Sequence, residues 1–205
     1  MNSKTRRQSI AGPVGVIECA IDEPQTPVQG LAVVCHPHPL HGGTMDNKVV
    51  QTLVRAFLYV GCRAVRFNVR GVGASEGVWD EGRGEVEDAL AVVRAFRQPG
   101  QTLMLGGFSF GGYVASQVAQ RLPEGEHAGR LVLVAPAVAN FPVGTVPPGT
   151  VVFHGEADEV VPLHAAFDWA RPQHLPITVL PGVGHFFHGQ LAVLKQLVIL
   201  SLSSR

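Results

Sequence analysis

Ser109 lies in Gly107-Phe108-Ser109-Phe110-Gly111, between an apolar run ending near Leu105 and a helical pattern starting at Val114. This G-x-S-x-G spacing puts a hydroxyl at the apex of a tight strand-to-helix turn, where side chains at positions 107 and 111 would clash. The start of the helix aims free backbone N–H groups at any oxyanion formed beside the serine. A serine hydroxyl is a poor nucleophile at neutral pH, so it needs a general base, and an imidazole base needs a carboxylate to fix its tautomer. Both follow in the order Ser, Asp, His. Val151 to Phe153 leads into His154-Gly155-Glu156-Ala157-Asp158, and Ile177 to Leu180 leads into Pro181-Gly182-Val183-Gly184-His185. Asp158 is the expected acid, ahead of Glu156 and Glu159. His185 is the expected base, ahead of His188, which the pattern places in the first turn of the last helix. The chemistry these three residues would do together is acyl transfer.

Two other stretches compete for attention. Arg70-Gly71-Val72-Gly73-Ala74-Ser75-Glu76-Gly77 offers a second serine and a glycine loop, but its spacing is G-x-G-x-x-x-G rather than G-x-G-x-x-G. No acidic residue ends the next strand, so a dinucleotide site is not expected and the loop reads as pocket rim. His36, His38 and His41 suggest a metal. However, the metallohydrolase pattern H-x-H-x-D-H needs an aspartate where Leu40 stands, so no metal is expected.

The elements that must position these residues alternate. Leu31 to Cys35, Ala64 to Val69, Thr102 to Leu105, Leu131 to Ala135, Val151 to Phe153 and Ile177 to Leu180 are short apolar runs. Their apolar residues are mostly consecutive, as in strands covered on both faces of a parallel sheet. Between them, apolar stripes at helical spacing run from Val49 to Leu58, Val86 to Phe96 and Val114 to Leu122, ending before Gly61, Pro99 and Pro123. A last one runs from Leu191 to Val198. Residues around Ser9 and from Val14 to Asp22 fit a hairpin across Gly12 and Pro13. The whole is a doubly wound α/β pattern, in which ligands bind just past the carboxyl ends of the strands.

With 205 residues, 46% of them hydrophobic, the chain can bury one sizeable core, so residues 1–205 are read as a single domain. Sixteen cationic and sixteen anionic side chains give zero net charge without long runs of either sign, which excludes the usual footprint of a nucleic-acid partner. The most apolar stretch, Leu191 to Leu202, is broken by Lys195 and Gln196 and is too short for a membrane span. No secretory pattern follows the basic start, so a cytoplasmic location is expected. Cys19, Cys35 and Cys62 are not closely paired and read as buried thiols.

The segments around Ser109, Asp158 and His185 resemble the three catalytic segments of the α/β-hydrolase superfamily. Arg70 to Ser75 is similar to that superfamily's loop after the fourth strand. More narrowly, His36-Pro37-His38-Pro39-Leu40-His41-Gly42-Gly43-Thr44-Met45-Asp46-Asn47 resembles a group of small bacterial α/β serine hydrolases without a lid. The likeness covers nearly the whole chain from Gly30 onward. It implies an α/β-hydrolase fold: a mostly parallel, doubly wound eight-stranded sheet with an antiparallel second strand from the N-terminal hairpin. Only residues 136–150 separate the two runs between which many relatives insert a helical cap, so no cap domain is expected.

The resemblance also implies an oxyanion hole built from the N–H of the residue after the nucleophile, here Phe110, and one from the loop after the third strand. Pro37 and Pro39 have no N–H and are excluded; the likeness of His36-Pro37-His38 to the His-Gly-X form of the family's loop implies His38 first, with Leu40 second. Leu40, Phe108 and Phe186 are the expected substrate contacts. The activity implied is hydrolysis of a small carboxylic ester through an acyl-enzyme, with no cofactor. A thioester or amide substrate, and a non-catalytic binding role, stay open, as do monomer and homodimer.

Overall fold

The computed structural model describes residues 5–203. Eight strands form one sheet: β1 (Arg6–Gly12), β2 (Gly15–Asp22), β3 (Gly30–Cys35), β4 (Cys62–Phe67), β5 (Leu103–Phe108), β6 (Arg130–Val134), β7 (Val151–Gly155) and β8 (Ile177–Leu180). Their spatial order is β1-β2-β4-β3-β5-β6-β7-β8. β2 is antiparallel to both β1 and β4, and the pairs from β4 through β8 are parallel. The hairpin turns at Pro13 and Val14, and its register starts with Gly12 opposite Gly15.

The apolar runs are strands because both faces of the sheet are covered. On β3, Leu31, Val33 and Cys35 join one core while Ala32 and Val34 join the other. The first core is closed by α2 (Arg83–Phe96) and α3 (Phe110–Arg121), and the second by α1 (Lys48–Tyr59) and α5 (Leu191–Ser203). The starts of α1 and α2 have local reasons. Asn47 Oδ1 accepts the Val49 N–H at 2.8 Å and caps α1. Glu85 bends back to accept the N–H groups of Asp80 (2.9 Å) and Gly82 (2.8 Å) and fixes the start of α2. A fifth helix, α4 (Leu163–Ala170), which the apolar pattern does not announce, buries only Ala166 and Ala170.

The chain leaves β3 toward β4 on one side and returns to lay β5 on its other side. The switch point of the sheet therefore falls between the carboxyl ends of β3 and β5, where an open α/β sheet leaves a crevice. The connection between β6 and β7 holds no helix or strand, so no cap domain is inserted there. None of the described helices is long and apolar enough to cross a membrane.

Candidate active site

Ser109 is where β5 becomes α3. Its backbone has φ 56° and ψ −120°, a left-handed conformation that costs a non-glycine residue roughly 1–3 kcal/mol. The strain is held by hydrogen bonds on both sides, from Ser109 N–H to the Val134 carbonyl (2.9 Å) and from the Gly112 and Ala137 N–H groups to the Ser109 carbonyl (2.8 and 3.1 Å). The flanking glycines are needed for space. A Cβ on Gly107 would lie 2.1 Å from the Gly111 carbonyl oxygen, and one on Gly111 would lie 2.2 Å from the Cys35 carbonyl oxygen. The second approach presses α3 directly against the loop after β3.

Loops after β7 and β8 bring the other two groups to this point. His185 Nε2 is 3.0 Å from Ser109 Oγ, and His185 Nδ1 is 2.7 Å from Asp158 Oδ2. All three side chains are buried. The other carboxylate oxygen of Asp158 accepts the N–H groups of Val160 (2.9 Å) and Val161 (2.8 Å). Burial alone would push the Asp158 pKa up. The hydrogen bonds from His185 and Val161, with the nearby imidazoles, outweigh it and hold the carboxyl below its usual value. An ionised Asp158 accepts a proton-bearing Nδ1, which leaves Nε2 free to accept from the serine.

The competing residues are occupied elsewhere. Glu156 accepts the Gly182 N–H at 2.8 Å and braces the turn after β8. Ser75 accepts the Glu18 N–H (2.9 Å) and donates to the Asn68 carbonyl (2.7 Å), so it fastens the glycine loop to the N-terminal hairpin. His188 does not open the last helix: it lies in the turn before α5, with its ring 5.8 Å from that of Phe186.

The loop after β3 shows which N–H groups are available. Phe110 N–H, at the first position of α3, has no acceptor among the described residues. Nor does His38 N–H, whereas Leu40 N–H is taken by His38 Nδ1 at 3.3 Å. His36 holds this arrangement from below. Its Nε2 accepts the Val69 N–H at 3.1 Å, so the ring proton is on Nδ1, which donates to the Pro37 carbonyl at 2.6 Å. The described peptides are all trans, so a fixed Pro37 carbonyl sends the His38 N–H the opposite way. Burial keeps His36 neutral, with its pKa pushed down to about 4. With both nitrogens engaged, His36 has none left for a metal, and no three metal-binding side chains converge among the described residues.

The expected substrate contacts separate. Leu40 and Phe186 stand exposed on the rim, and the Phe186 ring is 5.1 Å from that of His185. Phe108 is fully buried in the core, its ring 5.0 Å from His185. It supports the imidazole from behind and has no surface to offer a substrate, because residues alternate faces along β5 and this one points into the α1/α5 layer. The His38 ring instead gathers His41, Trp79, Phe110 and Phe141 at centroid distances of 4.5, 4.6, 5.3 and 5.8 Å, an aromatic wall between the loops after β3 and β4. A groove of about 460 Å³ lined by Glu159, Val160, Phe186 and His188 adjoins His185. A larger hollow of about 700 Å³ lies around Thr102 and Leu103, at the opposite end of β5 from the serine.

A strained serine at the switch point of this eight-stranded sheet defines an α/β serine hydrolase. The solved structures agree. A serine hydrolase homologue from Coxiella burnetii is 38% identical, with 97% of each chain covered and a TM-score of 0.88. A serine hydrolase described as without lid, from Xanthomonas campestris, is 36% identical over 98% of this chain and 95% of that one, with a TM-score of 0.89. An uncharacterised protein from Rickettsia prowazekii is 32% identical over 86% of this chain and 79% of its own length. Residues 32–148 match the model of the S33 serine aminopeptidase family of hydrolases, and the chain belongs to that family.

Proposed function

We propose that the protein hydrolyses a small carboxylic ester through an acyl-enzyme, with Ser109 as nucleophile, His185 as general base and Asp158 as its orienting acid. The observation that carries this reading is the run from Asp158 through His185 to Ser109, at 2.7 and 3.0 Å, ending on a serine held in a strained backbone. His185 takes the proton from Ser109 as its oxygen attacks the carbonyl, and the N–H groups of Phe110 and His38 receive the oxyanion. His185 then returns the proton to the departing alcohol. Water, activated by the same imidazole, releases the acid. No helix or strand stands between β6 and β7 to form a cap, and Leu40 and Phe186 are exposed.

A panel of nitrophenyl esters of increasing acyl length, run beside acyl-CoA thioesters and aminoacyl anilides, tests the substrate class. Highest kcat/KM on short acyl esters, lost in Ser109→Ala, supports the reading. Preference for the anilides would move the substrate to amides, in line with the family's description as serine aminopeptidase. No turnover of any member would favour a binding role.

A further inference from the structure

His154 is a fully buried titratable group beside Asp158 that the proposed steps do not use. It is the fourth residue of β7, and its Nε2 lies 2.8 Å from the Val161 carbonyl oxygen and 3.5 Å from Asp158 Oδ2. The carbonyl contact puts the ring proton on Nε2. Its Nδ1 is buried and has no partner among the described residues.

We propose that His154 is a positioning residue, whose Nε2–H ties the 158–161 turn to the end of β7 and steers Asp158 Oδ2 toward His185. This rests on Asp158 being the acid of the reaction. Val160 and Val161 supply the two N–H groups that fix the other oxygen of Asp158, so the aim of the carboxylate is only as firm as that turn. The turn is fastened at one end by the Asp158 N–H to the Gly155 carbonyl (3.3 Å) and at the other by His154 to the Val161 carbonyl. The distances rank the two imidazoles. His185 at 2.7 Å holds the carboxylate, and His154 at 3.5 Å confines it without competing. A charged His154 would compete with His185 for Asp158. Burial lowers its pKa, partly opposed by the Val161 carbonyl and Asp158, and keeps it neutral. The unpaired Nδ1 costs free energy that an apolar side chain would not, so the imidazole is a poor choice for packing alone.

Two variants separate positioning from packing. His154→Leu fills the space and removes the N–H, while His154→Gln restores an N–H near the Nε2 position. Each is measured for kcat and KM on a nitrophenyl ester, for thermal midpoint, and for the far-downfield proton resonance of the His185–Asp158 hydrogen bond. His154→Leu should lower kcat roughly 10- to 100-fold, with KM within about twofold, the midpoint nearly unchanged and the resonance broadened. His154→Gln should recover most of kcat and sharpen the resonance. Wild-type kcat and a sharp resonance in His154→Leu would overturn the proposal. So would equal losses in both variants with a lowered midpoint, which would mark a packing role. If Asp158→Ala kept wild-type kcat, the assignment of the acid would fail instead, and the resonance, which needs no substrate, would still report on His154.

Discussion

Acid should destabilise this protein through His36 by an amount that can be worked out. The imidazole is fully buried and accepts the Val69 N–H at Nε2, so a second proton has no room there. Its pKa falls from an ordinary 6.5 to about 4 on folding. Below pH 6.5 the unfolded chain binds a proton that the folded chain refuses. Stability therefore drops as pH falls through 6.5 and levels off below about 4. Integrating between pH 7.5 and 5.0, at about 1.36 kcal/mol per pKa unit, gives a loss of about 2 kcal/mol from this side chain. Carboxylates contribute little over most of that interval. His38 and His154, both lowered by burial, add losses of the same sign. The assay is urea unfolding at both pH values for wild type and His36→Asn, which keeps a donor near Nδ1 and cannot titrate. The variant will be less stable at both, but it should lose about 2 kcal/mol less on acidification. Equal losses in the two proteins would refute a buried neutral His36, and with it the account of how the Pro37–His38 peptide is held.

Three further outcomes follow from the site. His38 has φ −53°, which proline adopts without strain, so His38→Pro deletes one N–H and should cost roughly 10²- to 10³-fold in kcat; His38→Ala, which keeps the N–H, should cost far less in the same ester assay. Asp158→Asn preserves shape but favours the wrong imidazole tautomer, so kcat should fall about 10³- to 10⁴-fold while the thermal midpoint moves little. Gly111→Ala places a Cβ 2.2 Å from the Cys35 carbonyl oxygen, so the loop carrying His38 must move; stability should fall by about 1–3 kcal/mol in denaturant unfolding, and kcat should fall with it.

The central strands were legible because both sheet faces are covered, which turns Leu31 to Cys35 and its counterparts into unbroken apolar runs. β1 was legible only as residues around Ser9 in a hairpin, without bounds, because it is an exposed edge strand with no buried face to impose alternation. The end of β5 hid behind Gly107, which reads as turn yet pairs with β6; it is glycine because the Gly111 backbone occupies the space a side chain would need. Ser109, Asp158 and His185 were nameable from motif and order, since each must follow its own strand. What spacing could not show was direction. Phe108 points into the core, and His188 falls in a turn rather than on α5. His36 stood out only as one of three close-spaced histidines that suggest a metal, and His154 only as a histidine at a strand end. Their roles depend on which ring nitrogen meets which backbone group, and that emerges only once the loops are folded over the sheet.

The central claim is that Ser109 is a nucleophile activated by His185, and covalent labelling by a fluorophosphonate, read by intact mass and peptide mapping, tests it most directly. Wild type should gain one adduct, on Ser109; Ser109→Ala should gain none, and His185→Gln should label far more slowly. A wild-type protein as resistant as Ser109→Ala, or an adduct that persists in Ser109→Ala, would contradict it.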